Sequence, residues 1–137
     1  MKVGLIGYSD PKFSKTEAVS RINDAFREIE RNYNGEYTLV SGLTAVGVPG
    51  LAYREAERLG WNTEGVACRQ AREYPWHDVD RYILEGEEWG DESRRFLDGI
   101  DLLVKIGGGE QSEQETDRAR ERGMEVIEYT LEEISDP

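Results

Sequence analysis

The sequence predicts an α/β fold in which helices cover both faces of a mainly parallel sheet. Strand-like apolar runs alternate along the chain with segments of helical periodicity, and several strands lead into turns of small residues. The run at 100–106 is apolar enough for a strand that is buried on both faces. A length of 137 residues suits one hydrophobic core, so we predict a single domain over 1–137.

The individual elements follow from these patterns. About five strands are predicted, at 2–7, 37–41, 61–68, 100–106 and 125–129. Residues 82–84 fit one more short strand, although 69–92 otherwise shows little periodicity. Helices are predicted to begin near Ser14, Pro49, Ser93 and Ser112.

Three turns of small residues follow predicted strands, at 7–10, 41–47 and 107–112. The carboxyl ends of parallel strands lie at one edge of the sheet, and ligands bind beyond that edge, so we expect the turns to form one site. Backbone N–H groups in a glycine turn before a helix favour an anion such as a phosphate or a carboxylate. The candidate ligand-binding residues in these turns are Gly7, Ser9, Ser41, Gly42, Thr44, Gly47, Gly107, Gly108, Gly109, Gln111 and Ser112.

Each of these turns also has a purely structural interpretation. The glycines at 107–109 suit a tight turn with positive φ. Ser112 and Glu115 have the spacing of a capping box, although Glu115 is also a candidate base or acceptor of a hydrogen bond from a ribose hydroxyl. Ser41 and Thr44 could cap the second helix instead of contacting a ligand.

Two adjacent arginines, Arg94 and Arg95, precede the buried strand and are candidates for a phosphate clamp or a transition-state contact. The alternative is a solvated arginine paired with Asp91 or Glu92. Three aromatic residues are candidates for stacking on a base or for packing: Tyr8, Tyr53 and Trp89.

Composition excludes several classes of protein. The net charge of −12 argues against nucleic acid as a partner, and no apolar run is long enough to span a membrane. The N-terminus enters a strand pattern without a signal-peptide pattern, so we expect a cytoplasmic protein. Cys68 is the only cysteine, which excludes an intramolecular disulfide and a cysteine-based zinc site. The only histidine, His77, lies in a predicted turn, which disfavours a Ser-His-Asp triad.

Two common nucleotide-binding motifs are missing. The glycines of 4–7 do not extend to Gly-x-Gly-x-x-Gly, and no acidic residue ends the second strand. No Gly-x-x-x-x-Gly-Lys-[Ser/Thr] motif is found either. We therefore predict neither a nicotinamide dehydrogenase nor a P-loop NTPase, and we expect no cofactor and no metal.

The segment 108–115, Gly-Gly-Glu-Gln-Ser-Glu-Gln-Glu, resembles the Gly-Gly-x-Gly-Thr-x-x-Glu signature of the Lonely-guy and lysine-decarboxylase-like (SLOG) superfamily. That superfamily includes DprA-like and molybdenum-cofactor-carrier-like proteins. Asp101 matches its strand-leading Asp, and the turns at 7–9 and 41–48 resemble its first two glycine turns. Gln111 replaces the second glycine of the signature, and Ile106-Gly107 replaces the proline before the glycines.

This resemblance implies a three-layer Rossmann-like sandwich that binds a nucleotide or a nucleotide-derived ligand. Some members hydrolyse the N-glycosidic bond of nucleoside 5′-monophosphates with an arginine and the signature glutamate, which correspond here to Arg94 (or Arg95) and Glu115. A carboxylate beside the ribose can stabilise an oxocarbenium-like centre and orient water. The alternatives are a non-catalytic sensor of a nucleotide signal and a structural interaction protein. The family also implies a homodimer.

Overall fold

The computed structural model describes residues 1–10 and 12–134. Pro11, predicted to break a helix, and 135–137, predicted to fray, lie outside the described residues. The chain alternates strands and helices as predicted. The strands are β1 (Lys2–Gly7), β2 (Thr38–Ser41), β3 (Asn62–Ala67), β4 (Arg81–Leu84), β5 (Leu102–Ile106) and β6 (Val126–Tyr129). The helices are α1 (Lys15–Asn32), α2 (Gly47–Arg58), α3 (Ser93–Asp98) and α4 (Glu110–Glu121), with a 3₁₀ turn at Arg69–Glu73.

All six strands are parallel and lie in the order β4-β3-β2-β1-β5-β6. The short segment at 82–84 is part of β4, so the sheet has one strand more than the five expected. The α/β class is confirmed. Strands β1 and β5 are neighbours at the centre, and the strand order reverses between them, which is the position where ligands bind in open parallel sheets.

The two faces of the sheet are covered by different helices. Alternating residues of β1 point to opposite faces, so Val3 and Leu5 pack with α1 and α2, whereas Ile6 packs with α3 and α4. The predicted apolar face of α1 also included Val19, which is 36% exposed, and the helix buries the other five members: Ala18, Ile22, Ala25, Phe26 and Ile29. The sheet therefore lies between two helical layers. This packing sets where α4 begins relative to the edge of the sheet.

The helix starts were only partly predicted. Ser14 is the N-cap of α1, and its Oγ accepts a hydrogen bond from the Glu17 N–H at 3.2 Å, as predicted. The capping box predicted at Ser112 is wrong, because α4 begins two residues earlier with Gly109 as the N-cap. The predicted caps Ser41 and Thr44 are also wrong, since Val46 is the N-cap of α2.

Asp101 acts at the opposite edge of the sheet from the turns. Its Oδ2 accepts a hydrogen bond from the Lys2 N–H at 2.7 Å, and its own N–H donates to the Lys2 carbonyl at 2.7 Å. The strand-leading aspartate therefore fixes the register of β5 against β1 and lies far from the carboxyl ends of the strands.

Within the described residues, no helix is both long and apolar enough to cross a bilayer.

Candidate functional site

The main candidate site is a cavity of about 350 Å³ at the carboxyl ends of the central strands. It is bordered by the turn after β1, the turn after β2 and the start of α4, with the 85–92 loop and α3 closing one side. Nine of the predicted site residues line it: Gly7, Ser9, Ser41, Gly42, Thr44, Gly109, Gln111, Ser112 and Glu115. The three turns thus meet at one edge, as the parallel topology requires.

The turns after β1 and β2 are held together by close backbone contacts. The Val48 N–H donates to the Tyr8 carbonyl at 2.8 Å. A Cβ on Gly47 would lie 2.4 Å from the same carbonyl oxygen, so only glycine permits this approach. Gly47 therefore supports the cavity wall and does not line the cavity.

The second turn is fixed from below by Tyr53 of α2. The buried Tyr53 hydroxyl donates toward the Gly42 carbonyl at 2.8 Å and accepts from the Ser41 N–H at 3.1 Å. The Ser41 hydroxyl donates to the Leu5 carbonyl at 2.7 Å, so its oxygen is left as an acceptor. Tyr53, one of the three stacking candidates, is thus a packing residue, while Tyr8 and Trp89 line the cavity.

The three consecutive glycines have different roles. Gly108 has φ +110°, and a Cβ there would lie 2.6 Å from the Ser112 Cβ. Gly107 has φ +63° and packs under the Tyr8 ring. Gly109 has φ −99° with open space where a Cβ would be, and it lines the cavity. Two glycines therefore form the turn, and the third exposes backbone at the start of α4.

Glu115 lies on the buried face of α4, with 6% of its surface exposed, and it lines the cavity. Burial is the main reason why the pKa of Glu115 is raised to about 7, and the neighbouring charge of Glu92 raises it further. A hydrogen bond with Ser93 and the charge of Arg118 act in the opposite direction. Glu115 is therefore a carboxyl group that gains and loses a proton near neutral pH.

Glu92 is a second buried carboxylate in the cavity wall, at 7% exposure. Its two oxygens accept hydrogen bonds from the Gly90 N–H at 3.0 Å and from the Gln111 side-chain amide at 3.2 Å. These bonds tie the 85–92 loop to the first turn of α4. Glu92 was not predicted as a site residue, because nothing in the acidic run from Glu85 to Glu92 separates its buried member from the solvated ones.

The two candidate arginines lie outside the cavity. The Arg94 side chain is 87% exposed, and its guanidinium is 4.0 Å from Asp98 and not paired with Asp91 or Glu92. Arg95 is exposed as well. Both arginines are on α3, whose buried residues Phe96 and Leu97 turn the arginine side chains towards solvent.

A second cavity, of about 420 Å³, lies beside the 41–47 turn. It is lined by Phe13, Lys15, Ala45, Val46, Gly47, Leu51 and Arg54. Over the part of the chain that the structure describes, no cluster of His, Cys, Asp and Glu has the composition of a metal site. The buried Cys68 and the pair of His77 with Glu57 lie outside both cavities.

No protein-family model matches the chain, and no curated protein matches it. Solved structures do match the chain. TM1055, solved by a structural genomics consortium, is 22% identical, with a TM-score of 0.72 over 91% of this chain and 71% of its own. The Moco carrier protein from Chlamydomonas reinhardtii is 22% identical, with a TM-score of 0.73 over 94% of this chain and 76% of its own. This chain therefore has the Rossmann-like fold of TM1055 and of the Moco carrier protein, which confirms the fold that the sequence resemblance implied.

Proposed function

We propose that this protein binds a nucleotide or a nucleotide-derived ligand in the cavity above β1 and β5. One observation carries the proposal: two turns, the start of α4 and the 85–92 loop border a cavity of about 350 Å³ at the point where the strand order reverses. That volume lies at the lower end of the range for small-molecule sites, and the position is the usual one for ligands of open parallel sheets.

The lining offers the groups that a nucleoside unit needs. Ser41, Thr44 and Ser112 provide hydroxyl oxygens, and the first turn of α4 presents backbone N–H groups to the cavity. Trp89 is 43% exposed and lines the same space, so an aromatic base can stack on its ring. The Moco carrier protein, which shares the fold, is named for a small ligand, and this supports a small ligand for this chain as well.

A second candidate function is hydrolysis of an N-glycosidic bond, and Glu115 is the observation that favours it. A carboxyl group with a pKa of about 7 can orient and activate a water molecule at neutral pH. Its ionised form would also stabilise positive charge at the sugar carbon as the bond to the base breaks. Since Arg94 is in solvent, this function would rest on Glu115 without the arginine that the family resemblance implies.

The test is a thermal-shift screen of ribonucleosides, their 5′-monophosphates, ADP-ribose and cyclic nucleotides, with chromatography for released base on the same samples. A ligand at 100 times its dissociation constant should add roughly 2.7 kcal/mol of stability. Stabilisation by a ligand together with release of its base would support the hydrolase, provided that Glu115→Gln abolishes the base release. Stabilisation without release would support a non-catalytic binder, and no stabilisation by any compound would contradict the proposal.

A blocking variant locates the effect. Gly42 lines the cavity, has no positive φ and has open space where a Cβ would be, so Gly42→Leu should fill the cavity without straining the backbone. We expect this variant to melt as a folded protein and to lose the ligand-induced shift. Val19→Leu adds a methylene on the solvent side of α1 and should keep the shift.

A further inference from the structure

The charged groups that line the cavity are all acidic. Four carboxylates line it, and no lysine or arginine does among the residues that the structure describes. They come from the turn after β1, the loop before α3 and two positions on α4: Asp10, Glu92, Glu110 and Glu115. Asp10 lies 3.9 Å from the Lys12 ammonium, so a ligand that brings further negative charge would enter mainly against the other three.

The helix start offers little compensation for an anion. Two glutamates, Glu110 and Glu113, already occupy the first turn of α4 and interact with the positive end of its dipole. The Lys105 ammonium, which is buried beneath the helix, is paired with Glu113. Arg118 of α4 is near enough for its charge to act on Glu115, but it does not line the cavity.

The hydrogen-bonding groups of the cavity also disfavour an anionic ligand. Ionised carboxylates only accept hydrogen bonds, and so do the oxygens of a phosphate dianion. Sugar hydroxyls and exocyclic amino groups donate, which makes them the complementary partners of Glu92 and Glu115. Burial is the main cause of the raised pKa of Glu115, and repulsion by the charge of Glu92 adds to it.

We propose that the ligand is a nucleoside without phosphate, bound with its hydroxyl or amino donors at Glu92 and Glu115 and its base against Trp89. This inference rests on the proposed function and narrows it to one ligand class. The surface positions of Arg94 and Arg95 agree with it, because neither guanidinium lies in the cavity to offset the charge of a 5′-phosphate.

The experiment is calorimetric titration of the protein with adenosine, guanosine, cytidine and uridine, and with the 5′-monophosphate of each. At pH 8 and about 10 mM salt, where the Debye length is about 30 Å, repulsion is little screened. We expect at least one nucleoside to bind at least about tenfold more tightly than its monophosphate. Equal or tighter binding of the monophosphate would overturn this inference and leave the proposed function intact. If neither class binds, both fail.

Two variants separate charge from shape. Glu110→Gln removes one exposed carboxylate from the cavity rim. The dissociation constant of the monophosphate divided by that of the nucleoside should fall by about threefold or more in this variant. Glu121→Gln makes the same change at the far end of α4, outside the cavity, and should leave the ratio unchanged. Equal ratios in the two variants would overturn the electrostatic basis of the selection.

Discussion

Glu115 illustrates how a single residue acquires unusual chemistry from its position. The sequence places it five residues after the helix start, on the same face as Ser112 and Thr116, so the helix buries it against the sheet. There it faces Glu92, while Arg118 is the cation whose charge counteracts the rise in its pKa. Glu115 was predictable from the residue pattern, whereas Glu92 was not, because its burial depends on how an aperiodic loop folds over α3.

The raised pKa of Glu115 has a consequence for stability. Between pH 4.5 and about 7 the folded chain holds a proton that the unfolded chain has released, so the free energy of unfolding falls as pH rises through this window. In Glu115→Gln this contribution is missing. The free energy of unfolding of the variant, minus that of the wild type, should therefore rise by about 3 kcal/mol between pH 4 and pH 8, as measured by urea denaturation.

Glu121→Gln is the control for this measurement, because it removes an exposed glutamate from the same helix. Its stability relative to the wild type should change little with pH. If Glu115→Gln shows the same flat difference, Glu115 has an ordinary pKa and its role as a proton-exchanging group is wrong.

At the scale of elements, the entry into α4 is determined by glycine geometry and not by a side-chain cap. Ser112 has the spacing of a capping residue, but Gly107 and Gly108 bend the chain early and allow the helix to begin at Glu110. The sequence pattern alone could not separate these two starts, since both satisfy the same N-terminal preferences. The choice depends on packing of the turn against Tyr8 and Leu131.

Substitutions in this turn should differ sharply in cost. Gly108→Ala forces a side chain into positive φ and against Ser112, so we expect a loss of about 1–2 kcal/mol or more in the free energy of unfolding. Gly109→Ala meets no neighbouring atom and should lose less than about 1 kcal/mol, the usual cost of alanine at an N-cap. Equal losses in chemical denaturation would contradict the assigned roles.

Helix α2 supports the second turn through one hydroxyl group. Tyr53→Phe removes the acceptor of the Ser41 N–H and the donor to the Gly42 carbonyl, which leaves buried polar groups without partners. We expect a loss of about 1–3 kcal/mol in stability by denaturation. Tyr82→Phe, at a 56% exposed position, should be nearly neutral, and a neutral Tyr53→Phe would show that the turn holds without this contact.

For the whole molecule, the alternation of strands and helices was enough to predict a parallel sheet and the edge at which the turns meet. The strand count was one short because β4 is brief and exposed, with a weak apolar pattern. The directions of the arginine side chains could not be predicted, since they depend on which face of the six-residue helix α3 packs inward. The charge of the cavity therefore emerges only from the assembled fold.

A homodimer remains a prediction from the family resemblance. Light scattering should give twice the mass of one chain at micromolar concentration. The mass of a single chain would contradict it without affecting the cavity.

The most direct test of the central claim is an amide chemical-shift map of the 137-residue protein during titration with the four ribonucleosides. Binding in the proposed cavity should shift the amides of 7–10, 41–44 and 109–112 together, with one dissociation constant. Shifts centred on 45–47 and 51–54, beside the second cavity, would place the ligand elsewhere. The absence of saturable shifts with every nucleoside would contradict the claim that this edge of the sheet is a nucleoside site.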